Sequence, residues 1–548
     1  MIGRRMATAQ RTKRLTLLAS ILGSSIVFID GTVVNVALPA ISEDLDAGLA
    51  GQQWVVEAYL LTLASLLLVG GSLGDLFGRR RVLALGVSAF GATSLLCAAA
   101  PTVEVLVAAR ALQGAAGALL VPGTLAILIS TFPPSERGGA IGSWTAWVGI
   151  STVIGPLAGG VLVDAASWRL IFLVGLVPVA LTLLLIWRAL PSELDAREPG
   201  QVDVPGALLC ALGLAGVVFG LIEQPTYGWT DARIFIALGG GALLLGLFLA
   251  QERRSREPML PLSLFSERNF AAGNAATLTM YAGLGAATFF LPLFLQQVAG
   301  YSALAAGGSL LPITVIMFLL SKRFGALADR FGPRLLMTAG PLVAGVGLLL
   351  FTRLDAGASY VSDVLPAALV FALGLSMTVA PLTAAVLAGV DEHHSGVASG
   401  VNNAVARVAG LLAIGAVGAV VAAQFTSTLD QRIAGRELSP SATATVQAAR
   451  ERPLSGGRGA DVPEAERARV GSAIDDASVD GFRIGMLVSG GLVLAGGVIS
   501  FAGIRNPRRR VTAEECPGGA ICGASEDLGK SLAPEVSGRR LAPARVGS

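Results

Sequence analysis

The chain has 548 residues, of which 53% are hydrophobic and only 14% charged, and its mean hydropathy is +0.70. A soluble globular chain carries about a quarter charged residues, so these proportions exclude an ordinary water-soluble fold and require long stretches that never meet water. The net charge of +3 gives no sign of a nucleic-acid partner, and the placement of the charges matters more than their sum.

A helix needs roughly 20 apolar residues to cross a ~30 Å hydrocarbon core. By that ruler the first spans lie at 15–38, 53–72, 82–100, 104–130, 140–163 and 169–190. Two follow at 204–222 and 234–250, then six at 269–297, 304–320, 335–352, 363–388, 399–424 and 482–503. The sequence therefore predicts an all-α polytopic membrane protein with fourteen transmembrane helices. The segment 425–481, between the last two spans, is polar and is expected to be a long external loop. Residues 504–548, rich in small and polar residues, read as a disordered cytoplasmic tail. Neither segment suggests an enzyme domain. Cys97 and Cys210 stand in apolar runs and Cys516 and Cys522 in the tail, without metal-ligand spacing. His393 and His394 lack further ligands nearby, so no metal site is expected.

Short loops report orientation through Lys and Arg. The chain begins with Arg4, Arg5, Arg11, Lys13 and Arg14. Alternate loops then carry Arg79, Arg80 and Arg81; Arg137; Arg188 and Arg197; Arg253, Arg254, Arg256 and Arg268; and Lys322, Arg323, Arg330 and Arg334. The opposite loops hold only Arg169, Arg233 and Arg353 outside 425–481 and its border at Arg483. An even number of spans leaves both ends on the basic side. Residues 1–14 and the tail are therefore placed in the cytoplasm, and the chain in the inner (cytoplasmic) membrane. A basic start before an apolar run also fits a cleaved signal peptide. This run, however, is long, contains Asp30 and Asn35, and precedes thirteen more spans, so it is read as a span.

The chain repeats itself. Gly71 to Arg80 follows the second span and Gly325 to Arg334 follows the tenth, and both read G-x-L-x-D-x-F-G-x-R. Parallel repeats build the two halves of some transporters. Eight spans separate the copies rather than six, so the helices within 204–250 look inserted between a six-helix half at 15–190 and another at 269–503.

Several further stretches are distinctive: Asp30-Gly31-Thr32-Val33-Val34-Asn35 running on to Pro39; Leu106 to Ala118 with Arg110, Gln113 and Gly114; Gly155-Pro156-Leu157-Ala158-Gly159-Gly160; Trp168 to Phe172; Leu291-Pro292-Leu293 with Gln296 and Gln297; and Gly396 to Arg407. With the repeated loop, they resemble the major facilitator superfamily, and within it the fourteen-span drug:proton antiporter branch. Ser151, where the fifth-helix motif usually has Gly, and Gly175, where Asn is common, depart from the pattern.

The resemblance implies the major facilitator fold and a proton-coupled secondary transporter, not an enzyme, that exports drugs, dyes or antibiotics by alternating access. Its site would lie between the halves near the midplane. Asp30, Arg110 and Glu57 are the candidates for proton coupling. An acid deep in a span costs roughly 2.5–3.5 kcal/mol on insertion scales, so Asp30 should face protein or a water cavity. There it can carry a proton in one conformation and release it in another, or simply bond Asn35. Arg110 must pair with an acid or with carbonyls, tuning the acid or merely tying helices together. Glu57 reads equally as a second proton site, a contact for a cationic substrate, or a rim residue. Pro156 kinks its helix, and Gly155 and Gly159 allow close helix approach, which suits a conformation-sensitive seam. Gly71, Asp75, Gly78, Arg79 and Arg80, echoed by Asp329, form a latch at the basic face or only a topological anchor. Asn35, Gln113, Gln296, Gln297, Asn402, Asn403 and Arg407 are candidates for the substrate cavity.

No G-x-x-x-x-G-K-[ST] loop is present, so ATP is not expected to drive the cycle directly. No cofactor is expected, a proton gradient being the energy source. The expected partners are a small amphiphilic substrate, protons and the lipid bilayer, with the protein a monomer. One alternative is a narrow exporter of a single self-made antibiotic or metabolite; another is a non-transporting membrane sensor of the same fold.

Overall fold

In lipid no water bonds the backbone, so each peptide group must be satisfied within its own segment or its neighbours. The computed structural model answers this with helices alone: no strand occurs among the described residues, which are 2–190, 203–255, 258–387, 395–436, 438–454 and 462–506. Thirteen helices are long and apolar enough to cross a membrane, and a fourteenth is bent by 52° between Leu67 and Val69. The expectation of fourteen spans holds.

The first six spans are α1 (Ile2–Asp44), α2 (Leu49–Phe77), α3 (Arg79–Ala98), α4 (Val103–Thr131), α5 (Pro134–Ala165), and the pair α6 (Leu170–Val174) and α7 (Leu176–Ala189), which break at Gly175. They pack chiefly on one another, α1 against α4, α5 and α7, and α2 against α4. Next come α8 (Val204–Tyr227) and α9 (Ala232–Arg254). Only 11% of the apolar window of α9 is buried, against 56% for α4, so α9 lies at the periphery. The second set is α10 (Arg268–Gln297), α11 (Ala303–Ser309) continuing as α12 (Leu311–Phe331), α13 (Pro333–Leu350), α14 (Leu365–Leu387), α15 (Ser395–Ile433) and, after α16 (Pro440–Glu451), α17 (Glu464–Gly503). Here α10 packs on α15 and α17, and α13 on α14 and α17.

The two copies of the repeated motif fold alike. Gly78 ends α2 at φ +97° and Gly332 ends α12 at φ +86°, and the next helix follows at once. A side chain is strained at such angles and glycine is not, so the last glycine of each copy makes the reversal possible.

The segment 425–481 corrects the sequence reading, because it is mostly helical rather than a loop. α15 runs on to Ile433, α16 follows, and α17 begins at Glu464. Phe425, Leu429, Val446, Val470 and Ile474 form a small apolar core of their own. Ion pairs Arg432–Asp476 (3.2 Å) and Arg450–Asp430 (2.6 Å) brace this cap. Arg452 reaches out of it to Asp46, on the turn between α1 and α2. Residues 507–548, which hold most of the expected tail with Cys516 and Cys522, lie outside the described residues, as do His393 and His394.

Candidate functional site

A sealed polar network occupies the middle of the first half. Asp30 on α1 is 7% exposed and Arg110 on α4 is 1% exposed, and the two form an ion pair. Arg110 and Gln113 are three residues apart on one helix, which sets them on one face. Arg110 Nη1 donates to Asp30 Oδ2 and to Gln113 Oε1 (2.6 Å), and its Nε donates to the Val55 carbonyl of α2 (3.0 Å). The guanidinium also stacks 4.1 Å from the centre of the Tyr59 ring. The Gln113 amide donates to Asp30 Oδ1 (3.0 Å) and to Ser94 Oγ on α3 (2.9 Å). Both carboxylate oxygens are thus engaged, as a buried charge requires. Four helices meet on one acid. A proton arriving on Asp30 would remove the charge that Arg110 and Gln113 are arranged around.

One helical turn further along α1 is a cavity of about 150 Å³. Thr32, Asn35 and Val36 of α1 and Thr152, Val153 and Pro156 of α5 line one wall. Leu284, Thr288 and Pro292 of α10, residues of α11 and α12, and Phe371 of α14 line the other. The cavity therefore lies between the two sets of six spans, and among the described residues no ionisable side chain lines it. Its polar groups are four threonines and Asn35, whose Oδ1 is buried without a hydrogen-bond partner.

The two halves are joined on the side away from the amino terminus. At the end of α5, Asp164 accepts the backbone N–H groups of Ala303 (3.0 Å) and Leu304 (2.9 Å) at the start of α11. A Cβ on Gly160 would run into Leu304 backbone, and one on Gly307 into the Pro156 carbonyl. Gln296 Nε2 donates to the Val36 carbonyl (3.1 Å) and Gln53 Nε2 to the Ile414 carbonyl (2.8 Å). Among the described residues, no hydrogen bond links the halves at the basic face. The second seam, between α2 and α15, carries α8 as an outer cover. Trp54 Nε1 donates to Glu223 Oε1 (2.8 Å), and Leu221 and Ile222 approach Gly415 of α15.

The structure redistributes the residues singled out in the sequence. Gln113 belongs to the Asp30 network rather than to the cavity, and Asp30 bonds Gln113 and Arg110 rather than Asn35. Glu57 is fully buried in α2, with neither carboxyl oxygen partnered, so it is not a rim residue. Gly155 and Gly159 pack on Thr32 and Val33 of α1, so α5 grips α1 on one side and α11 on the other. At the basic face Asp75 accepts from Arg79 within its own turn (2.9 and 3.0 Å), with Arg80 half-buried alongside and Gly71 against Pro122 of α4. The Asp329 side chain lies outside the described residues. Gln296 bridges the halves, and Gln297 Oε1 is buried without a partner. Asn402 turns away from the first half to bond Asn274 (3.1 Å) and Thr277 (2.8 Å) of α10, whereas Asn403 is exposed. Arg407 lies 5.8 Å from the Phe28 ring of α1. Sequence reasoning passed over Ser94, Tyr59 and Asp164. Asp164 stands four residues after Gly160, and that spacing on a helix that already carries a seam motif was the available signal.

Comparison with known proteins adds the following. The sequence profile of the Major Facilitator Superfamily matches residues 20–414. The chain is 34% identical over 424 residues to the Multidrug resistance protein Stp of Mycobacterium tuberculosis (strain CDC 1551 / Oshkosh), covering 77% of this chain and 78% of that one. It is 35% identical over 410 residues to the Tetracenomycin C resistance and export protein of Streptomyces glaucescens, covering 75% and 76%. With the Puromycin resistance protein pur8 of Streptomyces alboniger it shares 36% identity over 422 residues, covering 76% and 83%. Among solved structures, a bacterial homolog of the human lysosomal transporter Spinster, inward-facing and unoccupied, matches with a TM-score of 0.61 at 16% identity, over 90% of this chain and 99% of that one. The last likeness concerns the fold alone.

Proposed function

The chain belongs to the Major Facilitator Superfamily, and we propose that it is a proton-coupled secondary transporter that exports amphiphilic drugs or antibiotics across the cytoplasmic membrane. The observation that carries this reading is the buried Asp30–Arg110–Gln113 network, on the same helix as the cavity between the halves. Asp30 is the proton carrier. Arg110 holds the deprotonated acid, and Gln113 and Ser94 fix its orientation. Protonation neutralises the one charge that binds α1 to α4 in this network. The change then reaches Thr32 and Asn35, which stand on the next turns of α1 and line the cavity. Glu57, a second buried acid with no partner, is the other candidate on the proton path.

With the basic face in the cytoplasm, the joined ends of the halves lie outside, and the described state is closed to the exterior. Alternating access then requires the Asp164–α11 contacts to part and the basic-face ends to meet. Relatives named for drug resistance and export support an outward direction. Two of those names contain a single antibiotic, which favours a narrow-substrate form of the same reading.

The test uses everted vesicles carrying wild type or Asp30→Asn, with an imposed pH gradient and a panel of lipophilic dyes and antibiotics. Gradient-dependent uptake by wild type, lost in the mutant together with the proton flux, is the expected result. Full transport by Asp30→Asn would remove Asp30 from the proton path. No movement of any compound by folded wild type would favour the sensor reading.

A further inference from the structure

We propose that Arg407 recognises an anionic group on the exported molecule, so that the preferred substrates are aromatic or amphiphilic acids carrying a carboxylate, sulfonate or phenolate. This rests on the export reading above. Arg407 belongs to α15 of the second half, yet its guanidinium faces the first half, 5.8 Å from the Phe28 ring of α1. It is half-buried, at membrane depth, and among the described residues it has neither a hydrogen bond nor an ion pair.

The acids on the surrounding helices are accounted for elsewhere. On α1, Asp30 is held by Arg110 and Gln113. On α2, both oxygens of Glu57 are without any partner, so it does not meet Arg407. On α8, Glu223 receives the Trp54 indole. The α10 span contributes no carboxylate. Arg110 shows what a fully partnered arginine in this fold looks like, paired with an acid, bonded to a carbonyl and sealed from solvent. Arg407 has none of these.

A guanidinium within a membrane protein is costly unless it faces water or a counter-charge. Its planar fork matches a carboxylate better than any other side chain does. Phe28 lies one turn before Thr32 on α1, so Arg407 stands just on the basic-face side of the cavity, in the region where no described hydrogen bond joins the halves. Among the described residues, no acid lines the cavity to receive a cation. A molecule entering from the basic face therefore meets the Arg407 guanidinium, without an acid partner among the described residues, beside the Phe28 ring, then an apolar chamber with hydroxyls.

The test compares two probes in the everted-vesicle assay, anilinonaphthalene sulfonate as the aromatic anion and ethidium as the aromatic cation. In Arg407→Gln the half-saturating concentration for the anion should rise about tenfold to a hundredfold relative to that for ethidium, the scale expected when a hydrogen bond to a charged group is lost. The maximal rate should stay within about twofold of wild type, and Arg407→Lys should recover part of the loss. Equal loss for both dyes in folded Arg407→Gln would assign Arg407 to the shared cycle and overturn the inference. So would wild type exporting ethidium but not the anion, or an unchanged preference in the variant. Folded wild type that moved neither dye would overturn the export reading, and this inference with it.

Discussion

Asp164 is the most direct handle on the balance between the two faces. Its two oxygens accept two backbone N–H groups of α11 across the seam, at 3.0 and 2.9 Å, and its side chain is exposed. A hydrogen bond contributes about 1 kcal/mol net, and one to a charged acceptor in solvent is no stronger than the lower end of its range. Asp164→Ala therefore removes about 2 kcal/mol from the state closed at this end, which corresponds to a shift of roughly 30-fold in the equilibrium. The glycine contacts at Gly160 and Gly307 remain, so the closed state is weakened rather than abolished. Spin labels on Ala166 and Ala305, both exposed beside the seam, would report the distance by pulsed electron resonance in nanodiscs. The expected result is a new long-distance population in Asp164→Ala, with Asp164→Asn in between because one acceptor oxygen survives. Identical distributions in wild type and Asp164→Ala would refute the claim that this carboxylate holds the halves together.

Arg110→Ala should destabilise the protein by about 3–5 kcal/mol, because it leaves Asp30 buried and unpaired; the double variant Asp30→Asn with Arg110→Gln should regain most of the melting temperature in detergent but none of the proton-driven transport. Gly155→Val should stop transport without loss of expression, since even a Cβ at that position meets Thr32 Oγ1 and lies 3.0 Å from the Ile29 carbonyl. Surface yield and dye efflux measured together decide it. Glu57→Gln keeps the shape of a fully buried side chain that bonds nothing. It should fold normally and lower the number of protons exchanged per substrate, read from dye and pH signals in the same vesicles.

The spans were legible because apolar length is a strong one-dimensional signal, and the halves because Gly78 and Gly332 hold the same place in two copies of one ten-residue pattern. The acid and the arginine were legible too, since charges inside apolar runs stand out. Their meeting was not, because Asp30 and Arg110 are 80 residues apart and only the crossing of α1 and α4 brings them together. For the same reason Gln113 was misplaced: a helix-facing amide and a cavity-facing amide look alike in sequence. The helical cap was missed because its polar composition hid a helical period, Val470, Ala473, Ile474 and Ala477 lying on one stripe.

The cover that α8 makes over α2 and α15 breaks the two-fold likeness of the halves. Of the two flanks along which they adjoin, the one at α2 and α15 is walled by a third helix, tied by Trp54 to Glu223 and packed against Gly415. The flank at α5 and α11 has no such wall among the described residues. A molecule dissolved in the bilayer that approaches the central chamber sideways is thus screened by α8 at one flank, and at the other meets the close backbone contacts of Gly160 with Leu304 and of Gly307 with Pro156. The cover of α8 makes the transporter one-sided in the plane of the membrane, as well as across it.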